Sequence, residues 1–298
     1  MINCKGLRIK FEKIKSLKNE LDLEFERIKA DEKNSKENKE ALERAMNIKK
    51  YLEKRVKFIK VKLVPKEFRE FIGFETKKLS AFFGKTIEVP PLPKEITIEK
   101  IEQWEKQGFE LHYLPEEDMT EEKDFPGWKK KPDNLFSFIK DGKVKPEVTK
   151  LEAGWVLIDG RAKPKYEYGE QMYENDILKE VIARLREEGI IAKWNRKDQG
   201  SRFNISNDEL RKDEVKKAIA EVLGVGPENI RLPKTIEWNV FGNMHHKEWG
   251  ETDTSEWFDE EYSGGLSDLG GLSHADNLSS GSRVAYLGFR PLCRFDNK

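Results

Sequence analysis

The chain has 298 residues, 56 of them Lys or Arg and 56 Asp or Glu, so its formal net charge is zero and no global field draws in nucleic acid or an anionic membrane. Its 37% apolar residues suffice for a core in part of this length but are lean for all of it, and only two cysteines, Cys4 and Cys293, exclude a disulfide framework and a zinc ribbon. No apolar run approaches the roughly 20 residues that span a bilayer, and the first fifteen or so lack the apolar block of a secretory signal, so the expectation is a cytoplasmic chain with no membrane span.

Residues 1–64 read as helix. Leu7, Ile14, Leu21 and Ile28 recur at heptad spacing with Phe11 and Phe25 between them, and Leu42, Ala45, Leu52, Val56, Ile59 and Leu63 continue the pattern after the polar stretch Asp31-Glu-Lys-Asn-Ser-Lys-Glu-Asn38. This predicts an antiparallel hairpin. A seam of that length can also pair between chains, which would make these helices an oligomerising coiled coil or a docking arm. Pro65 closes the second helix, and residues 65–103 read as linker and extension around the stiff segment Val89-Pro-Pro-Leu-Pro93.

From about residue 104 the texture changes to short mixed elements, an α+β pattern. An amphipathic turn runs from Ile98 to Gln107, aromatic loops follow at Phe109, Tyr113, Phe125 and Trp128, and Gly154-Trp-Val-Leu-Ile-Asp159 reads as a buried strand. One helix is expected from about Asn175 to Gly189. Another is opened by the capping-box spacing Ser206-Asn-Asp-Glu209 and closed at Gly224.

The sharpest feature is a break in composition: from Tyr262 to Asn297 the chain uses no Lys, Glu, Gln, Met or Trp. The middle of this run, Gly270 to Leu292, reads as a small-residue loop delivered into a short apolar strand, with Gly270, Gly271 and Gly288 at its bends and Phe289, Leu292 and Phe295 as anchors. Tyr286 and His274 offer aromatic area with polar tips; Asp276, Asn277, Ser279 and Ser282 offer hydrogen bonds, a mixture like that of antibody paratopes. Arg290 is expected to make a structural ion pair, whereas Arg283 fits either a structural or a ligand-binding role.

Other groupings carry less. His245 and His246 lie near Glu248, Glu251 and Asp253, but adjacent histidines point apart and no metal-ligand spacing is present. Asp259, Glu260 and Glu261 read as a solvated acidic turn, Gly160-Arg-Ala-Lys-Pro-Lys165 lacks the glycine spacing of a phosphate loop, and Trp155, Trp194, Trp238, Trp249 and Trp257 read as core.

Arg231-Leu-Pro-Lys-Thr-Ile-Glu-Trp238 resembles the "RLPT-x-x-E-W" signature of the C-type lectin fold of formylglycine-generating enzymes, with Lys234 in place of the usual Thr. Ser255-Glu-Trp-Phe-Asp-Glu-Glu-Tyr-Ser-Gly-Gly265 is similar to the "W-E-W…D…Y" segment of that family, and Gly270-Gly-Leu-Ser273 with Gly288-Phe-Arg290 to its "G-G-S…G-F-R" ending. Together these span roughly residues 150–295. The enzymes of the family use a pair of cysteines near the end of the domain; here there is Cys293 alone, in an alternating segment that suits a buried thiol. The ending Gly288-Phe-Arg-Pro-Leu292 more closely resembles that of the variable protein of a diversity-generating retroelement, whose preceding loop is rewritten at template adenines.

This resemblance implies a C-type lectin domain over residues 104–298, with a variable region at about 264–292. Codons of the AAC type altered at adenine never yield Lys, Glu, Gln, Met or Trp, and every residue from Ser273 to Tyr286 belongs to the permitted set. The implied ligand-contacting variable residues are Ser273, His274, Ala275, Asp276, Asn277, Ser279, Gly281, Ser282, Val284, Ala285 and Tyr286. The implied protein is a non-enzymatic binder with no catalytic residue, cofactor or metal, whose ligand is a protein or cell-surface molecule and which can oligomerise through its N-terminal helices. A formylglycine-generating oxidase, a coiled-coil assembly protein and a calcium-dependent sugar lectin are the alternatives, the last by fold analogy alone.

Overall fold

The computed structural model describes residues 16, 19, 22, 43–44, 46–51, 66–161, 173, 175–196, 198–249, 255–260, 266–271 and 274–295. The chain divides into two units, Met1–Phe71 and Ile72–Lys298. In the first, Ser16, Asn19, Asp22, 43–44 and 46–51 are helical, and Lys49 Nζ lies 2.7 Å from Asp22 Oδ1. The heptad positions named above, and Pro65, lie outside the described residues.

Helix, not linker, fills much of residues 65–103. Helix α1 (Lys66–Phe83) buries Leu79, Phe82 and Phe83, and α2 (Ile98–Lys106) is started by Thr97, whose side chain accepts a bond from Lys100 N at 3.3 Å. Between them the proline-rich residues 86–93 are neither helix nor strand. The apolar stripe of α2 is Ile101 and Trp104, and the Trp104 indole donates to Leu223 O at 2.8 Å.

A four-stranded antiparallel sheet in the order β1-β4-β10-β5 forms the centre of the second unit. Its strands are β1 (Phe109–Leu114), β4 (Gly154–Asp159), β5 (Ile230–Arg231) and β10 (Leu292–Phe295). β4 is apolar at consecutive positions because both its faces are covered: Trp155, Val156, Leu157 and Ile158 are all buried. β10 lies beside it with Cys293 opposite Leu157 and Leu292 opposite Ile158, and on its other edge meets β5 at Ile230 and Arg231. Phe109 and Tyr113, expected in loops, belong to β1 and pair with Asp159 and Trp155. Phe109-Glu110-Leu111-His112-Tyr113 alternates apolar and polar, which is the strand period. A short pair, β2 (Glu117–Asp118) with β3 (Lys150–Leu151), extends this corner, and helix α3 (Asp133–Lys140) buries Leu135 and Phe136.

Helix α4 (Lys179–Glu187) stands where expected and ends before Gly189, whose φ of 74° is left-handed. The helix expected over 206–224 is two: α5 (Asn207–Leu210) and α6 (Asp213–Leu223), separated because Lys212 is extended and serves as the N-cap of α6. The capping box at Ser206 and Glu209 is present in both directions, and Gly224 closes α6 at φ 64°. Helix α7 (Thr235–Met244) is buried from Thr235 to Asn243, so it lies inside the unit rather than on it. The chain is thus mixed α and β, and no helix among the described residues is long and apolar enough to cross a membrane.

Candidate functional site

The motif residues bind one another. Arg231 on β5 holds Glu237 on α7 through two bonds of 2.7 and 2.6 Å, and Glu237 in turn accepts from Lys234 N at 2.9 Å, capping the helix. Trp238 is fully buried and stacks on Trp249 with centroids 5.4 Å apart, edge-on to Phe258. Strand β6 (Ser255–Glu256) pairs in parallel with β9 (Leu287–Gly288), which brings Glu256 to Arg290. Arg290 Nε is 2.8 Å from both oxygens of Glu256, and its Nη1 donates to the carbonyls of Asp159 and Arg161 at 2.6 Å. Both partners are at 0% exposure, so the expected structural role of Arg290 is met. The Trp257 indole, next along, donates to Ile205 O at 2.8 Å.

Glu260 corrects an expectation. It is not in a solvated turn but only 3% exposed, accepting from Thr235 N and Thr235 Oγ1. Burial, reinforced by the charge of Glu237 and only partly offset by the Thr235 bonds, pushes its carboxyl up to about 8. Asp259 beside it is half-buried against Arg211 at 3.2 Å.

Between these fixed points lies the composition break. His274, Ala275, Asp276 and Asn277 are not in a loop. They belong to strand β8 (His274–Leu278), antiparallel to β7 (Leu266–Gly271), with a register shift between Leu269 and Gly271. Ser273 lies outside the described residues. The connection from β8 to β9 carries the other predicted positions: Ser279, Gly281 and Tyr286 are exposed, and Ser282, Val284 and Ala285 are half-buried. Its path is set by main-chain bonds: Asp208 N to Ser280 O at 3.2 Å, Asn204 N to Val284 O at 3.2 Å, Ser255 N to Tyr286 O at 3.1 Å, and Ser282 N back to Ser279 O at 2.9 Å. Gly281 has no left-handed φ, and a Cβ there would rest 3.6 Å from Asp208 Oδ2, an ordinary contact, so the position accepts a side chain.

Two residues of this connection contact the scaffold through their side chains. Arg283 makes paired 3.0 Å bonds to Glu209, which also caps α5 and accepts from Ala192 N at 2.6 Å; burial pushes the Glu209 carboxyl up, but the bonds from Arg283, Ser206 and Ala192 outweigh it and hold it at about 2. Arg283 is therefore a structural tie. Ala285, one of the predicted contact residues, packs against Tyr173, Trp194 and Phe203 and so is turned toward the core. Beneath lies a dry ionic layer that sequence reasoning missed: Arg202 grips Asp176 through two 2.6 Å bonds and Asp159 at 3.0 Å, and the guanidiniums of Arg161 and Arg202 sit over the Tyr173 ring. Burial opposes charge on Asp159, but the guanidiniums of Arg202, Arg161 and Arg290 hold its carboxyl below its usual value. Only Glu209 of these partners carried a sequence signal, through its capping-box spacing.

Cys293 is fully buried at the centre of the sheet, where burial pushes its thiol well up. Of the histidine pair, His246 bonds Glu110 and Glu248, both at 3.1 Å, while the His245 ring lies 3.9 Å from that of His112. His112 also contacts Glu75 and Glu110; burial disfavours its charge, but the two carboxylates prevail and raise it to about 9. His245, buried beside that charge and Lys78, falls to about 2. Among the described residues no group of His, Cys, Asp and Glu is arranged to hold a metal ion. No family model, curated protein or solved structure matches the chain.

Proposed function

We propose that this chain is a non-enzymatic ligand-binding protein, the variable protein of a diversity-generating retroelement, displaying a diversified surface at residues 274–286 on a C-type lectin fold. The observation that carries this reading is the connection 279–286, fixed at both ends and along its main chain while Ser279, Gly281 and Tyr286 stay exposed and Gly281 has room for a side chain. A segment built in this way changes its surface chemistry without changing its path. The residues that carry the resemblance support the fold assignment, because Arg231 with Glu237 and Arg290 with Glu256 are pairs that lock the scaffold on either side of the segment. An oxidase of the formylglycine-generating kind needs accessible thiols, and Cys293 is buried. The assembly reading rests on heptad positions outside the described residues.

The test lies in the DNA downstream of the coding region. A near-copy of the codons for residues 264–295, differing from the gene only where the copy carries adenine and neighbouring a reverse transcriptase, is expected. Absence of any such copy returns residues 274–286 to an ordinary protein surface.

A further inference from the structure

A cleft of about 570 Å³ opens between α1, the loop 126–130 and the end of α7, and it shares no residue with the 279–286 segment. Its walls are apolar at Phe82, Pro126 and Met244, and its rim carries four lysines, Lys78, Lys129, Lys130 and Lys247. No Asp or Glu is among the described residues that line it. That is unusual in a chain with as many acids as bases, where a solvated face normally mixes the two signs. Lys129, Lys130 and Lys247 are exposed, and none has a carboxylate partner among the described residues. Lys78 Nζ instead donates to Nδ1 of His245 at 3.0 Å, a ring that burial and the neighbouring charges keep neutral, so its charge is directed but not cancelled.

The cleft is also preorganised. Asn243 Oδ1 accepts from Lys129 N at 3.0 Å and Lys130 N at 2.8 Å, and its Nδ2 donates to Lys130 O at 2.9 Å, which fixes the main chain carrying two of the lysines. Gly127 N donates to Phe82 O at 2.9 Å, and the approach is so close that a Cβ on Gly127 would fall 2.7 Å from Phe82 Cα. Holding four like charges around one hollow is unfavourable in the free protein, and that cost is relieved by an anion placed among them. The size is that of a small-molecule site, and the apolar walls ask for a ligand with an apolar body.

We propose that this cleft binds a small polyanion with a flat apolar body, of the chemical class of a nucleoside polyphosphate. Its phosphates lie among Lys78, Lys129, Lys130 and Lys247, and its ring system lies against Phe82 and Met244. The test is calorimetric titration of the full chain at low salt with three probes: ATP, tripolyphosphate and adenosine. ATP is expected to bind more tightly than tripolyphosphate, to weaken as salt is raised, and to outbind adenosine, which lacks the charge. The double variant Lys129→Gln/Lys130→Gln keeps the main-chain bonds to Asn243, so it should melt no lower than the parent while binding ATP about tenfold more weakly, as two exposed charge contacts would dictate. Absence of ATP binding at millimolar concentration, equal affinity in the double variant, or tripolyphosphate binding as tightly as ATP would each overturn the assignment.

Discussion

Within a dozen residues, 279–290, the structure predicts a steep gradient in the cost of substitution. Exchanging Ser279, Ser282 and Tyr286 together for Asn removes no buried partner, since Ser279 and Tyr286 are exposed and Ser282 is only half-buried; the expected cost is within about 1 kcal/mol, most of it from the Tyr286 ring. Arg283→Asn breaks a bidentate contact to Glu209, but 42% of the Arg283 side chain is exposed, and solvent screening limits the loss to about 1 kcal/mol by itself. Arg290→Met is different in kind. It leaves the Glu256 carboxylate at 0% exposure without a counter-charge and strips donors from the carbonyls of Asp159 and Arg161, a loss of about 3–5 kcal/mol. For a unit the size of Ile72–Lys298 that corresponds to a melting temperature lowered by roughly 6–20 °C, against no more than a few degrees for the Asn triple. All 7 tryptophans lie beyond residue 71, so their fluorescence follows this unit alone. Adding Glu256→Gln to Arg290→Met should restore part of the loss, because the orphaned charge is then gone. The reasoning is refuted if the Asn triple costs as much as Arg290→Met, or if Arg290→Met costs less than about 1 kcal/mol.

Glu260, raised to about 8 in the fold from a reference of 4.5, stays protonated after its unfolded counterpart has ionised; it therefore lends its full stability below about pH 4.5 and loses it progressively as pH rises to about 8, a loss on the order of a few kcal/mol. Denaturation across this range should show Glu260→Gln more stable than the parent near the upper end and the difference shrinking toward the lower, and an unchanged difference throughout would contradict the burial of Glu260. Cys293→Ser puts a hydroxyl into a dry strand and should cost about 1–3 kcal/mol; in the native protein a maleimide should fail to label Cys293, and rapid labelling would count against its burial. Gly127→Ala must displace the Phe82 ring and main chain, so a loss of about 1–3 kcal/mol and weaker ATP binding are expected, with an unaltered melting curve ruling out the close approach.

What the amino-acid pattern discloses is what local rules control. β4 is legible because a run with no polar residue between Trp155 and Ile158 has no solvent face to offer, and the start of α5 because Ser206 and Glu209 close their own box. β1 is legible in the alternation Phe109-Glu110-Leu111-His112-Tyr113, which the reading as aromatic loops passed over; what nothing local announces is that its polar members His112 and Glu110, bonded to each other, also find Glu75 and His246, remote in sequence. Glu260 was misread for the same reason: three acids in a row signal solvent, and nothing local announces that Thr235 will bond one of them in the interior. β8 eluded the reading because His, Asp and Asn favour turns, while its pairing with β7 belongs to the main chain. Arg290 could be read correctly as structural from its motif, but its partner Glu256 could not, because the parallel pairing of β6 with β9 is a property of the fold.

The direction of the bonds that hold residues 280, 284 and 286 has a consequence for heredity. In each, the scaffold supplies the N–H and the segment supplies the carbonyl oxygen. The carbonyl is the one polar group that all twenty amino acids share, proline included, whereas the N–H is not universal. A gene can thus rewrite the letters at those places without consulting the anchorage, and the exception is position 282, where the segment spends an N–H on Ser279 O and proline would be the one unwelcome letter.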